Sequence, residues 1–531
     1  MTQSSINQLK KTALFITTLG LLCTITPNII AHEGGHARAS INLSPLSKLR
    51  IGDYDQGAAE IVVYDVSTQR AYITNAQASS IDVISISKPE SPNKIFSIDL
   101  KPYGSVNSVA VNNGIVAVAL SAPIKQDNGH VALFDLDGKH LNTLEVGALP
   151  DMLTFTPNGS AILVANEGEP NDEYTLDPEG SVSIIHLKEQ QDIKTLTQAD
   201  IKTANFNAFN DAQLDPSIRI FGKNANVSQD LEPEYITVSD DSTTAWVSLQ
   251  ENNALAVLDI QTATVTKLIG LGFKSYNNRQ NAIDASDKDN KINIQAWPVF
   301  GMYQPDSIAS YSVNGQHYIV TANEGDARDY DGFSEEVRLK DIELEEPLLK
   351  GYPNIQKDEN LGRLKISTVD SDINENGKLD RIYSYGARSF SIWATDGSQT
   401  FDSGSDFATR IASRYPTLFN KNDKRSDDKG AEPEALTLGK IGDQTYAFIG
   451  LERTSGVMAY NISNPQRPYY ADYITTISPK LANDDPNQGD IAPESLVFVS
   501  AEDSPNKKPL LLSANEVSAT FSIYSIKEVK K

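Results

Sequence analysis

The stretch Pro233-Glu234-Tyr235-Ile236 is one of seven copies of a short pattern that decides the fold. The pattern is a small residue or proline, then Asp, Glu or Asn, then any residue, then Ile, Leu or Val. Its copies begin at Ala59, Val106, Pro150, Pro233, Pro305, Pro433 and Pro493. Each copy opens a short apolar run. Repetition of one unit along a chain indicates a repeat architecture.

Two further β-rich runs follow most copies, with turn residues between them. Ala161–Ala165 and Ala245–Leu249 are examples of the second run, and Leu255–Ile260 and Val457–Ile462 are examples of the third. Such runs between turns predict strands. Seven units of this kind predict an all-β protein, a seven-bladed β-propeller with long loop insertions. A pair of β-sandwiches is the alternative, but sandwiches do not repeat one motif seven times.

The predicted propeller is a single domain over residues 41–529. The seventh unit lacks a fourth strand, and we expect residues near Ile41–Tyr54 to supply it and so close the ring, which removes the sheet edges. Unequal spacing of the copies predicts polar loop insertions, with a helical stretch around Asp192–Phe209. The predicted insertions are residues 188–230, 262–303, 330–380 and 395–430.

Residues 1–31 have the features of a secretory leader. They contain no acidic residue, and Lys10 and Lys11 precede a short apolar run. With a small residue at Ala31, this pattern predicts a signal peptide cleaved near Ala31 and a periplasmic or extracellular protein. A retained membrane anchor and lipidation of Cys23 are the alternatives. No later run approaches the length of a membrane-spanning helix.

The amino-acid composition limits which classes of binding partner the protein can have. The 531 residues include 46 Lys and Arg against 70 Asp and Glu, a formal net charge of −24. This charge argues against nucleic acid and anionic membranes as partners and leaves cations and metal-bridged anions. The single cysteine excludes a disulfide scaffold and a cysteine-based zinc cluster. No nucleophile elbow, P-loop or dinucleotide fingerprint is present, and no dimerisation signal, so we expect a monomer.

The acidic position of the repeat predicts a metal site. The first strand of a propeller blade is innermost, so the acidic position of the repeat forms one ring of side chains around a mouth of the central channel. The second strand runs back to the same face, so the residues at its end form a second ring there. The first ring is Glu60, Asn107, Asp151, Glu234, Asp306, Glu434 and Glu494; the second is Glu167, Gln250, Glu324, Glu452 and Glu516. Carboxylates this close repel, and bound cations would relieve the repulsion. Alternatively, each acidic side chain accepts N–H bonds from a neighbouring blade.

A second cation signal lies in the segment Asp372–Asp380. Oxygens at Asp372, Asn374, Asn376 and Asp380, with Gly377 for the sharp turn, match the start of an EF-hand-like loop that lacks the usual final Glu. This pattern predicts a structural calcium site, with a plain Asx-turn loop as the alternative. A weaker calcium candidate is formed by Asp284, Asp287 and Asp289.

Several longer motifs resemble one family. They are Ala165–Asp172, Asp177–Ser183, Asp284–Asp289, Trp297–Asp306, Thr321–Tyr330 and Tyr385–Trp393. Together these motifs resemble the choice-of-anchor I family of secreted propeller proteins, whose members include alkaline phosphatases and mesenchyme surface glycoproteins. The resemblance runs from about residue 50 to residue 526.

The resemblance and the acidic rings together imply a secreted metal-dependent phosphoesterase of the alkaline phosphatase type. A small phosphorylated or anionic ligand would be held through metal, with Arg328, Arg388 and Arg453 as candidate substrate-contacting residues because guanidinium groups bind phosphate. Propeller alkaline phosphatases use an iron–calcium cluster with a cysteine ligand. Since no cysteine follows the leader, Ca²⁺ with Mg²⁺ or Mn²⁺ fits better than iron. The alternative is a non-enzymatic calcium-binding propeller for surface adhesion, ligand or mineral binding.

Overall fold

The computed structural model describes residues 40–188, 192–374, 376–482, 485 and 487–529. The predicted signal peptide, with Cys23 and Ala31, lies outside these residues. Within them the chain forms seven four-stranded antiparallel sheets. The first strand of each sheet contacts the first strand of the next, and the last sheet contacts the first, so the sheets close into a ring. The predicted all-β propeller fold is therefore confirmed.

We number the sheets as blades in the chain order of their first strands. Blade 1 is Ala58–Asp65, Arg70–Asn75, Ser80–Ser85 and Asn93–Asp99; blade 2 is Ser105–Asn112, Ile115–Ser121, Asn128–Asp135 and His140–Ala148. Blade 3 is Pro150–Phe155, Ala161–Asn166, Ser181–His186 and Ile201–Asn205; blade 4 is Pro233–Val238, Thr244–Leu249, Ala254–Asp259 and Thr264–Gly270. Blade 5 is Ile308–Val313, Gln316–Asn323, Ser389–Ala394 and Gln399–Asp402; blade 6 is Pro433–Ile441, Gln444–Leu451, Val457–Asn461 and Tyr469–Ile474. Blade 7 is Pro493–Val499, Leu510–Asn515, Thr520–Val529 and Ser40–Arg50.

The ring closes through a strand taken from the other end of the described chain. Ser40–Arg50 pairs antiparallel with Thr520–Val529, from Ser40 opposite Val529 to Arg50 opposite Thr520. The predicted closure is thus confirmed. Ile41 and Leu43 from this strand pack into the apolar core between blades 6 and 7, where the burial of apolar surface stabilises the closed ring.

The insertions contain short strands and helices, and they pack either on one another or on the blades. Their strands are Phe273–Ser275, Phe300–Met302 and Tyr383–Ser384 in one sheet, Asp329–Tyr330 with Phe333–Ser334, and Glu336–Arg338 with Lys365–Ser367. Their helices are Val227–Asp230, Glu346–Gly351 and Asp406–Arg414. Segments 262–303 and 330–380 share an apolar core that includes Tyr276, Trp297, Leu339 and Leu364. These insertions are ordered, packed structure rather than open loops.

The helix predicted around Asp192–Phe209 is wrong. This segment contains short 3-10 turns at Ile193–Thr195, Gln198–Asp200 and Asn207–Phe209, and Ile201–Asn205 is the outer strand of blade 3. The outer strands of blades 4 and 5 likewise lie inside segments that the sequence suggested were insertions. These strands are polar because they pack on one side only, so their pattern resembles that of a loop. Among the described residues, no helix has both the length and the apolar character needed to cross a bilayer.

Candidate functional site

A β-bulge lies at the acidic position of the repeat in six blades. The register between first and second strands shifts between Ala58 and Val62, Val106 and Ser108, Pro150 and Met152, Pro233 and Ile236, Pro433 and Leu436, and Pro493 and Ser495. A bulged residue leaves the hydrogen-bond ladder, and the bulge redirects its side chain. The first-ring residues Glu60, Asn107, Asp151, Glu234, Glu434 and Glu494 fall inside these bulges. Asp306 lies just before the first strand of blade 5, which begins at Ile308.

The second ring starts where the second strands end, and a backbone bond fixes it beside the first. In blade 3 the N–H of Glu167 donates to the carbonyl of Leu149, at 2.9 Å. Leu149 has a positive φ of 46° and directly precedes Pro150 and Asp151. Equivalent bonds join Glu452 to Glu432 in blade 6 at 2.8 Å and Glu516 to Ala492 in blade 7 at 2.9 Å. The left-handed turn before the repeat therefore holds the two rings side by side.

The two rings meet around a cavity of about 430 Å³ at the centre of the propeller. Its lining includes Glu60, Asn107, Asp151, Glu234, Asp306 and Glu494 of the first ring and Glu167 and Gln250 of the second. Asp306, Glu324 and Glu434 each offer an oxygen within 4.8 Å of the others. Gln250 Nε2 donates to Glu324 Oε2 at 3.1 Å, which links neighbouring blades within the ring. The structure thus brings both predicted rings to one mouth.

Burial and mutual repulsion raise the pKa of all ten ring carboxyls. Burial is the largest cause throughout, and at least one other carboxylate adds to it at each position. The pKa rises to about 7 at Glu60, about 6 at Asp151 and about 8 at Glu452, and rises above the ordinary value at Glu167, Glu234, Asp306, Glu324, Glu434, Glu494 and Glu516. A site that disfavours its own negative charge this strongly is suited to binding cations.

The donor set fits a hard divalent cation. Glu434 Oε2 is buried and has no hydrogen-bond partner among the described residues. Glu251 is also buried, lines the same cavity and leaves its Oε2 without a partner. Buried carboxylate oxygens without partners are costly. Ca²⁺, Mg²⁺ and Mn²⁺ take carboxylate oxygens as ligands, and these residues offer only oxygen.

One lysine that the sequence reasoning missed enters the site from segment 395–430. The Lys429 ammonium lies 2.8 Å from Glu324 Oε1, 3.5 Å from Asp326 Oδ1 and 3.6 Å from Glu432 Oε2. Burial opposes its charge, but Glu324, Asp326 and Glu432 raise the pKa of Lys429 well above its ordinary value. Lys429 is therefore a fixed positive charge on one side of the acidic mouth.

Glu432, which the repeat analysis also missed, organises the cations on that side. Its carboxylate is fully buried and binds Arg425 Nε at 2.8 Å and Arg453 Nε at 3.2 Å. Burial alone would raise its pKa, but Lys429, Arg425 and Arg453 together lower it. Arg453 also contacts its neighbour Glu452, with Nη1 2.7 Å from Oε1. The channel mouth thus has a side with several cations and a side dominated by carboxylates.

The other two predicted arginines are placed differently. The Arg328 guanidinium is buried and binds Asp230 and Glu232, with Nη2 2.9 Å from Glu232 Oε2. Arg388 donates to the backbone carbonyl of Asp284 at 2.7 Å. It also donates to the backbone carbonyls of Ser426 and Asp428 in segment 395–430. Neither arginine is among the described residues that line the acidic cavity. Of the three, only Arg453 is brought to the rings.

Three further acidic residues line the cavity, namely Glu169, Glu251 and Asp326. Glu169 and Asp326 end the matching stretches Asn166–Glu169 and Asn323–Asp326, so this repetition was available in the sequence. The glycine in each stretch has a positive φ, 77° at Gly168 and 94° at Gly325. A Cβ at Gly325 would lie 2.1 Å from the backbone nitrogen of Gly386, so no side chain fits there.

The predicted calcium loop closes on itself through its carboxylates. Asp372 accepts the N–H groups of Asn376 at 3.1 Å and Gly377 at 2.7 Å, and Asp380 accepts that of Asn374 at 3.2 Å. Asn376 Nδ2 donates to Glu345 Oε1 at 2.6 Å. This arrangement is the Asx-turn alternative, and calcium in this loop stays a prediction. In the weaker candidate, Asp287 is held by Arg363, with Nε 2.6 Å from Oδ1.

The sequence of this chain matches one known protein family over most of its length. The sequence pattern of the choice-of-anchor I domain family matches residues 60–465. The chain belongs to the choice-of-anchor I family. Choice-of-anchor I domains thus account for the region from the first ring residue, Glu60, to the turn that precedes the outer strand of blade 6.

Two curated proteins resemble parts of this choice-of-anchor I chain. Gigasin-3a of Magallana gigas is 28% identical over 193 residues, which cover 33% of this chain and 68% of that protein. The mesenchyme-specific cell surface glycoprotein of Strongylocentrotus purpuratus is 29% identical over 280 residues, 44% of this chain and 35% of that protein. The chain therefore matches only about a third of the second relative's length. That relative is named as a cell surface glycoprotein.

Among solved structures, the hydrazine synthase of Kuenenia stuttgartiensis is similar over 89% of this chain and 96% of its own, with a TM-score of 0.47 and 11% identity. This likeness carries no conclusion about activity. The closed ring of four-stranded sheets itself identifies the propeller.

Proposed function

We propose that this propeller binds divalent cations at its acidic mouth and uses them to hydrolyse phosphate monoesters outside the cytoplasm, in the periplasm or beyond the cell. The observation that carries the proposal is the buried, unpartnered Glu434 Oε2, which lies within a ring of carboxyls whose pKa values are all raised. Such a site is unfavourable when empty and is stabilised by cation binding.

The ring residues would hold the cations, with Asp306, Glu324 and Glu434 as one ligand group because their oxygens already lie within 4.8 Å. A bound divalent cation supplies Lewis-acid polarisation of phosphoryl oxygens and acidifies water. The Arg453 guanidinium, 30% exposed at the edge of the rings, is placed to orient a phosphate oxygen. Lys429 adds a fixed charge beside it.

The decisive experiment measures hydrolysis of p-nitrophenyl phosphate at alkaline pH by chelated protein reloaded with Ca²⁺, Mg²⁺, Mn²⁺ or Fe²⁺. We expect turnover that needs metal and that falls at least about a hundredfold in Asp306→Asn/Glu434→Gln, because two members of the proposed ligand group are lost. The matched control is Glu502→Gln/Asp331→Asn, which neutralises two exposed carboxylates that are not among the residues lining the cavity. Absence of turnover with every metal contradicts the enzymatic half of the proposal.

A non-enzymatic calcium-binding propeller for surface adhesion, ligand or mineral binding is the second candidate. It is favoured by the engagement of Arg328 and Arg388 in internal pairs, since a scaffold needs no free guanidinium groups. The name of the Strongylocentrotus relative agrees with a role at a surface. Chelator-sensitive melting without turnover on any phosphate ester supports this candidate, and we expect a monomer by sedimentation in either case.

A further inference from the structure

A second cavity, of about 250 Å³, lies beside the acidic mouth. It is formed by the loop that follows helix Asp406–Arg414, the turn between the second and third strands of blade 6, the segment before blade 7 and the turn between the second and third strands of blade 7. The described lining residues that carry its chemistry are Lys421, Lys424, Glu452, Arg453, Thr454 and Val517. Glu452 and Arg453 belong to both this cavity and the edge of the rings. The cavity therefore opens next to the proposed reaction centre.

The charge of this cavity is opposite to that of the protein. Lys421, Lys424 and Arg453 face one carboxylate, Glu452, whose Oε1 already binds Arg453 at 2.7 Å. Lys421 and Lys424 are exposed and form no ion pair with another described residue. In a chain with a net charge of −24, this is a local excess of positive charge. Such a group of side chains attracts an anion.

The floor of the cavity is mainly apolar, and one buried hydroxyl beside it has no partner. Ile477, Ile491, Ala492 and Val517 pack together as a small cluster beneath the cations. Thr454 is 2% exposed, and its Oγ1 has no hydrogen-bond partner among the described residues. A buried hydroxyl without a partner costs about 1–3 kcal/mol. A ligand that brings one oxygen to Thr454 and apolar surface to the floor satisfies both features.

The loop that carries the lysines has an unusual backbone. Asn420, Lys421, Asn422 and Asp423 all have positive φ, between 42° and 69°. For residues other than glycine, this left-handed backbone conformation costs about 1–2 kcal/mol each. The loop is held in this form by the N–H of Asp423, which donates to the carbonyl of Phe419 at 2.7 Å. Lys421 and Asn422 of this loop line the cavity.

We propose that this cavity binds the organic group of a phosphate monoester, with a compact aryl or short alkyl group on the apolar floor and the anionic group between Arg453 and the two lysines. An apolar cavity of about 150 Å³ accepts benzene, so about 250 Å³ accommodates a phenyl ring with part of its phosphate. This inference deepens the proposed function, on which it rests, by selecting small apolar esters over bare phosphate and over large polar ones.

Binding is tested on chelated protein, so that it does not depend on metal or turnover. Titration calorimetry with phenyl phosphate, inorganic phosphate and phenol should show phenyl phosphate binding about tenfold more tightly than either part, because both halves of the cavity are used. Equal affinity for phenyl phosphate and inorganic phosphate overturns the apolar half of the inference.

Two variants and a control localise the binding. Lys421→Glu/Lys424→Glu should weaken phenyl phosphate about tenfold or more, and Lys101→Glu/Lys139→Glu, which reverses two exposed lysines elsewhere, should not. Val517→Phe fills the floor and should weaken phenyl phosphate but not inorganic phosphate. An unchanged affinity in the Lys421/Lys424 variant overturns the inference. Phenyl phosphate binding here without turnover on any metal contradicts the phosphoesterase proposal alone.

Discussion

The ammonium of Lys429 lies 2.8 Å from Glu324 Oε1, although 105 residues separate the two in the chain. This pair joins the end of the second strand of blade 5 to the segment that precedes blade 6. Both side chains are nearly buried, at 12% and 11% exposure. Lys429 therefore neutralises one position of the acidic ring, on the side of the mouth where Arg425 and Arg453 also lie.

Replacing Lys429 by methionine should destabilise the chelated protein by about 3 kcal/mol, because a buried carboxylate loses its partner. The measurement is urea unfolding followed by fluorescence. The control is Lys340→Met, which breaks an exposed pair with Asp358 and should cost less than about 1 kcal/mol. Added calcium should recover part of the loss at Lys429 only. Equal effects of the two substitutions would show that the Lys429 pair has no special role.

Neutralising Glu434 should stabilise the protein without cations and reduce the stabilisation that cations give. In chelated protein, Glu434→Gln removes one of the repelling buried charges and should raise the free energy of unfolding by about 1 kcal/mol. With saturating Ca²⁺ or Mn²⁺, the cation-dependent increase in Tm should shrink, because a ligand is lost. Calorimetric melting of both forms measures this, with Glu502→Gln as the exposed control. An undiminished cation effect would remove Glu434 from the ligand set.

Asp177 should make stability depend on pH. Both of its carboxylate oxygens are buried without partners, and burial raises its pKa to about 6; nearby Arg328 opposes this shift and Asp230 adds to it. Because the folded pKa exceeds the ordinary value, the fold favours the protonated form. The contribution of Asp177 to stability is therefore present at low pH and lost as the pH rises through about 6.

The variant Asp177→Asn stays neutral at every pH, so its stability relative to the wild type should increase between pH 4.5 and pH 7.5. We expect a difference of about 1 kcal/mol at pH 7.5, the cost of an unsatisfied buried group. Urea unfolding across this range measures it, with Asp331→Asn as the exposed control. A difference that does not vary with pH would contradict the assignment.

Shortening Leu43 tests the closure of the ring. Leu43 is 5% exposed in the core between blades 6 and 7, and its N–H donates to Asp472 Oδ2 at 2.7 Å. Leu43→Ala should lower the free energy of unfolding by about 3 kcal/mol through the cavity it leaves. The neighbouring exposed residue supplies the control, Asn42→Ala, which should change stability by less than about 0.5 kcal/mol.

Much of the fold and the two rings could be predicted from the sequence, because each copy of the repeated pattern corresponds to the same local backbone geometry. A bulge needs its own short sequence pattern, and Glu60 and Glu494 occupy equivalent bulges at distant points of the chain. Once the period is recognised, the propeller brings such positions together without further information. The same reasoning placed residues near Ile41–Tyr54 in blade 7, where the structure has the strand Ser40–Arg50, since a blade with three strands leaves an open edge.

The cationic side of the site could not be predicted in this way. Lys429 and Arg425 come from a segment without repeats, whose path is set by tertiary packing rather than by local pattern. Arg328 follows an acidic pair in sequence, which suggested a place at the mouth, but Asp230, 98 residues away, binds it in the interior. Sequence periodicity indicates which backbone positions recur. Ion pairing depends instead on which charged side chains a non-repeating segment places next to those positions.

The pairing of Ser40–Arg50 with Thr520–Val529 also has a consequence for the order of folding. A chain that emerges from its N-terminal side presents the first of these strands long before its partner exists. Contacts this distant in sequence form slowly, so closure of blade 7 should be the last and rate-limiting event. Until then the ring has two exposed edges that can pair with other chains, and the yield of folded protein should fall as the concentration of newly made chains rises.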